Sequence, residues 1–301
     1  MSALPRPAAD RRDDRAGPRS ASLHPDRIGR LAREALLAEL HTDPKPGLVG
    51  PRDPGSHADM DHRHFERSAA ALAPFFGRLA ELGAANAPMD ALRRTGLDAE
   101  AAMLHATGGV NTHRGAIFGL GLLCAAAGRR GGNGNVPGHS LGAVVAATWG
   151  TAILSGPIPL RSHGTAVLIR HGVGGARAEA AAGFPTLYRT GLPALRAGRA
   201  MRPGDPAAAR VHCLFTLIAM VDDTNLLHRG GTSGAAFAHE AAGSFLAAGG
   251  VFRGDWRVRA AAIHRDFVSR RLSPGGCADL LAMTIFADRL GEPVAPEPSA
   301  A

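Results

Sequence analysis

Pro25-Asp26-Arg27-Ile28-Gly29-Arg30-Leu31-Ala32-Arg33-Glu34-Ala35-Leu36-Leu37-Ala38-Glu39-Leu40-His41 runs straight into Thr42-Asp43-Pro44-Lys45-Pro46-Gly47-Leu48-Val49. Ile28, Leu31, Ala35 and Leu36 recur at helical spacing, and Pro25 suits the first position of a helix that reaches about His41. Pro44 and Pro46 then fix φ on both sides of Lys45, and Gly47 allows a sharp turn. Helix followed by a tight polar corner is the pattern of the rest of the chain. No segment alternates with period two for long, so the fold is expected to be all-α, a single multi-helix globular domain.

Lys45 is the only lysine among 34 Lys plus Arg. A chain that uses arginine for every other basic side chain has kept one compact ammonium on a flexible stem, where a planar fork will not serve. The abundant Ala and Gly, with aromatics at 5%, suit closely packed helices better than a β-sandwich. Residues 1–24 carry Arg, Asp, Pro and Ser with little to bury and read as a disordered basic tail. The helical domain is expected over 25–292, with a frayed Pro-rich end at 293–301. Cys124, Cys213 and Cys277 are far apart and form no CxxC, which reads as buried free thiols in a reducing, cytoplasmic setting. No secretory signal precedes the domain, and the apolar runs near 141–154 and 211–221 fall short of the ~20 residues of a membrane span. The net charge of +8 comes with no basic run interleaved with aromatics, so nucleic acid is not the expected partner.

Downstream, Phe65, Ala69, Leu72, Phe76 and Leu79 form one stripe of a helix that Pro74 should kink. A helix over 97–106 should stop at Gly108-Gly109, and Asn111 or Thr112 should cap the next. Gly115, Gly119 and Gly121 lower that helix's propensity, so close packing or ligand approach must compensate. Gly115-x-x-x-Gly119 can pack between subunits as readily as within one, which leaves a homo-oligomer open. The segment 131–135 reads as a flexible loop. Further helices are expected near 141–154, 165–169, 177–182, 187–197, 207–221, 233–248, 256–271 and 278–289.

Four short stretches each open an expected helix: Asn111-Thr112-His113-Arg114-Gly115, Gly172-Val173-Gly174-Gly175-Ala176-Arg177, Arg229-Gly230-Gly231-Thr232-Ser233-Gly234 and Ser273-Pro274-Gly275-Gly276. A helix N-terminus offers free N–H groups and partial positive charge, and glycine admits a phosphate oxygen. Three of the stretches carry an arginine, which can grip phosphate with two hydrogen bonds. With Lys45 they point to a polyphosphate site, although no P-loop pattern is present. Asp222-Asp223 is expected to end an apolar helix, where acids oppose the dipole, which marks the pair as functional. Those two and Asp59 with Asp61 can hold Mg²⁺ through a few oxygens, although Asp59 also suits an N-cap. The run His57 to His64 offers a zinc alternative, since His57 and Asp61 would share a helix face, but no HExxH accompanies it. Of the other histidines, His113 and His228 fall inside candidate stretches.

Taken together, these stretches resemble the triphosphoribosyl-dephospho-CoA synthase family. The resemblance is carried by Pro44-Lys45-Pro46-Gly47-Leu48-Val49, Gly55-x-His57-x-Asp59-Met60 and Gly109-Val110-Asn111-Thr112-His113-Arg114-Gly115-Ala116-Ile117-Phe118. It continues through Gly174-Gly175-Ala176-Arg177-x-Glu179 with Gly183-Phe184-Pro185, then Asp222-Asp223-Thr224-Asn225 with Arg229-Gly230-Gly231, and Ser273-Pro274-Gly275-Gly276-x-Ala278-Asp279-Leu280-Leu281. It spans about 30–288, in order. Leu226-Leu227-His228-Arg229 and the high Arg and Ala content look like the malonate decarboxylase branch, with the citrate lyase branch second. Arg114 stands where the family often has lysine.

The resemblance implies a pentosyl transfer. ATP and 3′-dephospho-CoA would give 2′-(5″-triphosphoribosyl)-3′-dephospho-CoA and adenine, with the triphosphate intact. The product would serve a downstream phosphoribosyl-dephospho-CoA transferase and the acyl carrier protein of the decarboxylase. On this footing Lys45, Asn111, Arg114, Arg177, Arg229, Gly230, Gly231, Gly275 and Gly276 are expected at phosphates, and Asp59, Asp222 and Asp279 at Mg²⁺. Asp223 is the expected base for the 2′-hydroxyl, with Glu179 second, and His113 is a candidate acid for departing adenine. Two other readings use the same residues: a metal-dependent nucleotide or ADP-ribosyl hydrolase, and a non-catalytic nucleotide-binding accessory protein.

Overall fold

The computed structural model describes residues 23–132, 139–157 and 175–294. The expected tail at 1–22, the helix at 165–169, most of the 131–135 loop and the chain end from 295 lie outside the described residues. Among those described, every regular element is a helix, and the fold is all-α. In order they are α1 (Pro25–Leu40), α2 (His62–Ala84), α3 (Met89–Thr107), α4 (Arg114–Gly131), α5 (Leu141–Ser155) and α6 (Gly175–Ala181). A π-helical turn (Leu187–Gly191) leads into α7 (Leu192–Met201), α8 (Pro206–Met220), α9 (Thr224–Ala247), α10 (Trp256–Ser269) and α11 (Gly275–Arg289).

Sequence chemistry accounts for the ends. Pro25 opens α1, and α3 stops at Gly108 and Gly109, whose φ of 69° and 93° end the helix in left-handed conformation. Asp61, not Asp59, caps α2, in a capping box with His64. His57 to Asp61 is therefore loop, and the helix face expected for a zinc pair does not exist. Helix α2 is continuous through Pro74, because Ala70, whose carbonyl loses its partner there, is exposed to water. His113 rather than Asn111 or Thr112 is the cap residue of α4, although Asn111 Oδ1 accepts from the Arg114 N–H at 3.2 Å.

Asp222 and Asp223 do not close a helix against its dipole. Helix α8 ends at Met220, and Asp223 is the N-cap of α9, a favourable place for an acid. Within α9, Gly231 leaves helical geometry at φ 61°, ψ −164°.

Two helices, α4 and α11, are buried nearly all round and form the middle of the molecule. Gly115 faces Asp279 and Gly119 faces Met283, so closely that a Cβ at either glycine would strike the facing side chain. The matched register makes the two helices parallel, with both N-termini at the same end. The glycine stripe thus packs inside one chain. Helix α2 lies along α4 on its other side, and α1 packs against α2 and α11. Far from this end, Glu292 is fully buried and accepts from the Leu141 N–H at 2.7 Å and the Tyr188 hydroxyl at 2.8 Å, fixing the start of α5. All three cysteines are buried and free, and among the described residues no helix is long and apolar enough to cross a membrane.

Candidate functional site

Where α4 and α11 begin, the protein encloses a cavity of about 1110 Å³. Pockets for one small ligand run to about 300–1,000 Å³, so this one lies just above that range. Three helix N-termini border it, at Arg114, Thr224 and Gly275, and the positive ends of their dipoles point to that end.

Asp223 brings two of these N-termini together. Its Oδ1 accepts from the Asn225 and Leu226 N–H groups at 2.7 and 3.3 Å, and its Oδ2 from Cys277 N–H at 2.8 Å. Burial pushes its carboxyl upward, and the same N–H donors pull it back. Both oxygens are thus occupied and the side chain does not line the cavity; Asp223 ties α9 to α11 instead.

Lys45, Asn111, Arg114, Arg177, Arg229, Gly275 and Gly276 all reach the cavity wall, with His113, Asp59 and Asp279. Glu179, Asp222, Gly230 and Gly231 do not. Glu179 accepts from the Thr186 N–H at 2.7 Å, and Asp222 is exposed elsewhere. Gly230 packs on Leu272. The residues 172–174 of the second glycine stretch lie outside the described residues.

Lys45 is 3% exposed and donates to Glu39 Oε1 at 2.5 Å and to the Glu39 carbonyl at 3.1 Å. Burial lowers its pKa, and Glu39 opposes that shift. Glu39 occupies the buried face of α1, in register with Ile28, Ala32, Ala35 and Leu36. That acid on an apolar stripe, six residues before the sole lysine, was a signal in the sequence that the helical reading passed over.

The arginines differ in what they have free. Arg177 donates to carbonyls of Ile153, Leu154, Gly156 and Pro157, closing the C-terminus of α5. Among the described residues the Arg114 side chain pairs with Glu100, and it is half exposed. Arg229 donates to His57 Nδ1 at 3.2 Å and to the Ser56 carbonyl at 3.2 Å. An arginine cannot accept, so His57 Nδ1 must, and its Nε2 proton points to Ser273 Oγ at 2.9 Å. Ser273 is 2% exposed, lines the cavity and keeps its own hydroxyl proton to give. Burial, then the Arg229 charge, lower the His57 pKa, which keeps the ring neutral in this role.

Asp279 lies against Gly115 in the first turns of the two central helices. Burial and the nearby charges of Glu39 and Asp223 push its carboxyl well up, against one N–H from Ala116. A carboxyl held among like charges, with no ion-pair partner among the described residues, suits a divalent ion that brings the rest of its ligands. Among the described residues no three His, Cys, Asp or Glu side chains gather to hold a metal by themselves.

His113 is 4% exposed, stacked edge-on to Phe65 at 4.9 Å, with Nδ1 2.7 Å from Ser68 Oγ. Burial, helped by the Lys45 charge, drops its pKa to about 3. At neutral pH that shift favours the neutral imidazole.

The family model described as ATP:dephospho-CoA triphosphoribosyl transferase matches residues 25–297. A Pseudomonas aeruginosa protein named "Probable 2-(5''-triphosphoribosyl)-3'-dephosphocoenzyme-A synthase" is 42% identical over 86% of this chain and 89% of its own. A Klebsiella pneumoniae protein named "2-(5''-triphosphoribosyl)-3'-dephosphocoenzyme-A synthase" is 40% identical over 88% of this chain and 91% of its own. An Acinetobacter calcoaceticus protein with the first of these names is 37% identical over 88% and 91%. No solved structure matches the chain.

Proposed function

The chain belongs to the ATP:dephospho-CoA triphosphoribosyl transferase family, and from that membership we propose that it moves the triphosphoribosyl group of ATP onto the 2′-hydroxyl of 3′-dephospho-CoA, releasing adenine. The observation that carries the proposal is the meeting of three helix N-termini with Lys45, Arg114, Arg229 and Ser273 around one cavity. The triphosphate is the handle of this reaction, not its leaving group. A cluster of N–H groups and cations that binds it firmly fixes C1″ against the acceptor, and such positioning lowers a two-substrate barrier by several kcal/mol. Displacement at C1″ passes through an oxocarbenium-like state, which the cavity carboxylates stabilise.

Arg114, Arg229, Ser273 and the N–H groups at Gly275 and Gly276 bind phosphate oxygens in this reading. Asp279 would hold Mg²⁺, and Asp59, which also lines the cavity, is the other carboxylate expected to serve it. Such an ion, when bound, offsets the triphosphate charge. The product would go to a downstream phosphoribosyl-dephospho-CoA transferase and then to the acyl carrier protein of malonate decarboxylase, all within the cytoplasm.

The test is incubation with ATP and 3′-dephospho-CoA, with adenine and the triphosphoribosyl adduct followed by liquid chromatography and mass spectrometry. Equal amounts of both products are expected. Adenine with free triphosphoribose and no adduct would make the protein a hydrolase; no adenine at all would make it a binding protein.

A further inference from the structure

We propose that Ser68 locks His113 as the Nε2–H tautomer, and that this N–H is the hydrogen-bond donor for a ring nitrogen of the purine that leaves. The inference rests on the transferase reading above.

Ser68 is fully buried, and its Oγ meets one partner, His113 Nδ1. If Nδ1 carried the ring proton, the Ser68 hydroxyl proton would be left with no acceptor among the described residues. The hydroxyl therefore donates to Nδ1. Thr112 Oγ1, 3.3 Å from the same nitrogen, has the same direction open to it. The ring's one proton is then on Nε2, and Nε2 is buried with no hydrogen-bond partner. A buried donor left unpaired is costly, and native proteins rarely keep one without a use.

What it would bind follows from its surroundings. His113 forms part of the cavity wall, as do Lys45, Phe65, Ile117 and Phe118. Apolar and aromatic walls with a single neutral N–H suit a flat heterocycle with a lone pair in its plane. A phosphate is served better by the helix N-termini at Gly275 and Arg114. Lys45 adds a positive field beside the ring. In the transfer, the C1″–N9 bond breaks with its electron pair going to adenine, and the acceptor 2′-oxygen bonds C1″. The proton lost from the 2′-hydroxyl balances the one that neutral adenine finally carries. Negative charge thus gathers on the purine ring as it departs, where a fixed N–H donor stabilises the transition state more than the ground state.

The experiment is a cycle of variants against base analogues. ATP, 7-deaza-ATP and 3-deaza-ATP are each given to the wild type, His113→Asn, His113→Gln and Ser68→Ala, with 3′-dephospho-CoA present and kcat/KM read from release of the base. His113→Asn, which lacks a donor at the Nε2 position, should lose about 100-fold with ATP. One of the two deaza analogues should cost the wild type a similar factor and cost His113→Asn almost nothing more. His113→Gln places an amide N–H near the same point and should recover much of the loss. Ser68→Ala should show a blunted response to the same analogue, and its imidazole nitrogen shifts in NMR should move toward the Nδ1–H tautomer. Losses that multiply for both analogues, or an unchanged tautomer in Ser68→Ala, would overturn the proposal. Folding of each variant is checked by thermal melting, with His113→Gln as the measure if His113→Asn melts. Should the wild type release no adenine from ATP, the transferase reading fails instead, while the NMR result still tests the tautomer.

Discussion

The Lys45 ammonium is 2.5 Å from Glu39 Oε1, and both side chains are almost wholly out of water. Breaking such a pair from one side leaves a lone buried charge, which costs about 3–5 kcal/mol. Glu39→Gln should therefore lower stability by about that much in urea unfolding. Lys45→Met should do the same and also raise KM for ATP strongly. Glu39→Gln with Lys45→Met together should cost well under the sum. An unchanged KM in Lys45→Met would take Lys45 out of the site.

Gly115 has no room for a methyl group, because Asp279 Oδ2 occupies that place. Gly115→Ala must push α4 and α11 apart where both meet the cavity. A loss of about 1–3 kcal/mol is expected by urea unfolding, with at least tenfold lower kcat/KM. Full activity would mean that the two N-termini need not sit so close.

Asp223→Asn removes one acceptor oxygen where three N–H groups are bound. Stability should fall by about 1–3 kcal/mol. Turnover of the folded fraction at saturating substrates should stay within a few fold. A collapse of turnover in a fully folded variant would restore Asp223 as the base.

His113 resists protonation in the folded state down to about pH 3, while the unfolded chain takes up a proton near its ordinary value of 6.5. The unfolded state therefore binds more protons between these values, and stability from this group falls as pH drops. The loss is about 1.4 kcal/mol per pH unit, or roughly 2 kcal/mol on going from pH 7 to 5. Urea unfolding at both pH values should show the difference, and His113→Gln should lack that share of it. Equal pH dependence in the two proteins would contradict a neutral buried ring.

Arg177 and Arg114 looked alike in the sequence and should now separate. Arg177→Ala uncaps α5 and should lower the melting temperature with KM for ATP nearly unchanged. Arg114→Ala should leave melting nearly unchanged and raise KM. The reverse outcome would exchange their roles.

The helices were legible because apolar spacing and Pro or Gly corners act locally. Ile28 to Leu36, the Gly108-Gly109 stop and the glycines of α4 all meant what their spacing implied. Which end of each helix an acid belonged to was less legible. Asp223 sits three residues beyond the end of α8 and caps α9, and only the turn between them decides which. Arg114 and Gly275 reach the cavity because their glycine-bearing corners mark helix starts, whereas Lys45 comes from the turn after α1 and Arg229 from within α9. Glu39 and Ser68 escaped notice because their importance lies in partners distant in the fold or hidden on an apolar face. Arg177 carried the opposite risk, a charge in a suggestive motif whose donors are spent on carbonyls. Pairing of that kind is tertiary, and no spacing announces it.

The parallel seam between α4 and α11 joins stretches that begin about 160 residues apart. During synthesis, α4 leaves the ribosome long before the helix that covers Gly115 and Gly119. For that interval α4, buried nearly all round in the finished fold, has an open flank, a ready hand-hold for a chaperone. The pocket, in turn, acquires its floor only when the late helix slides home.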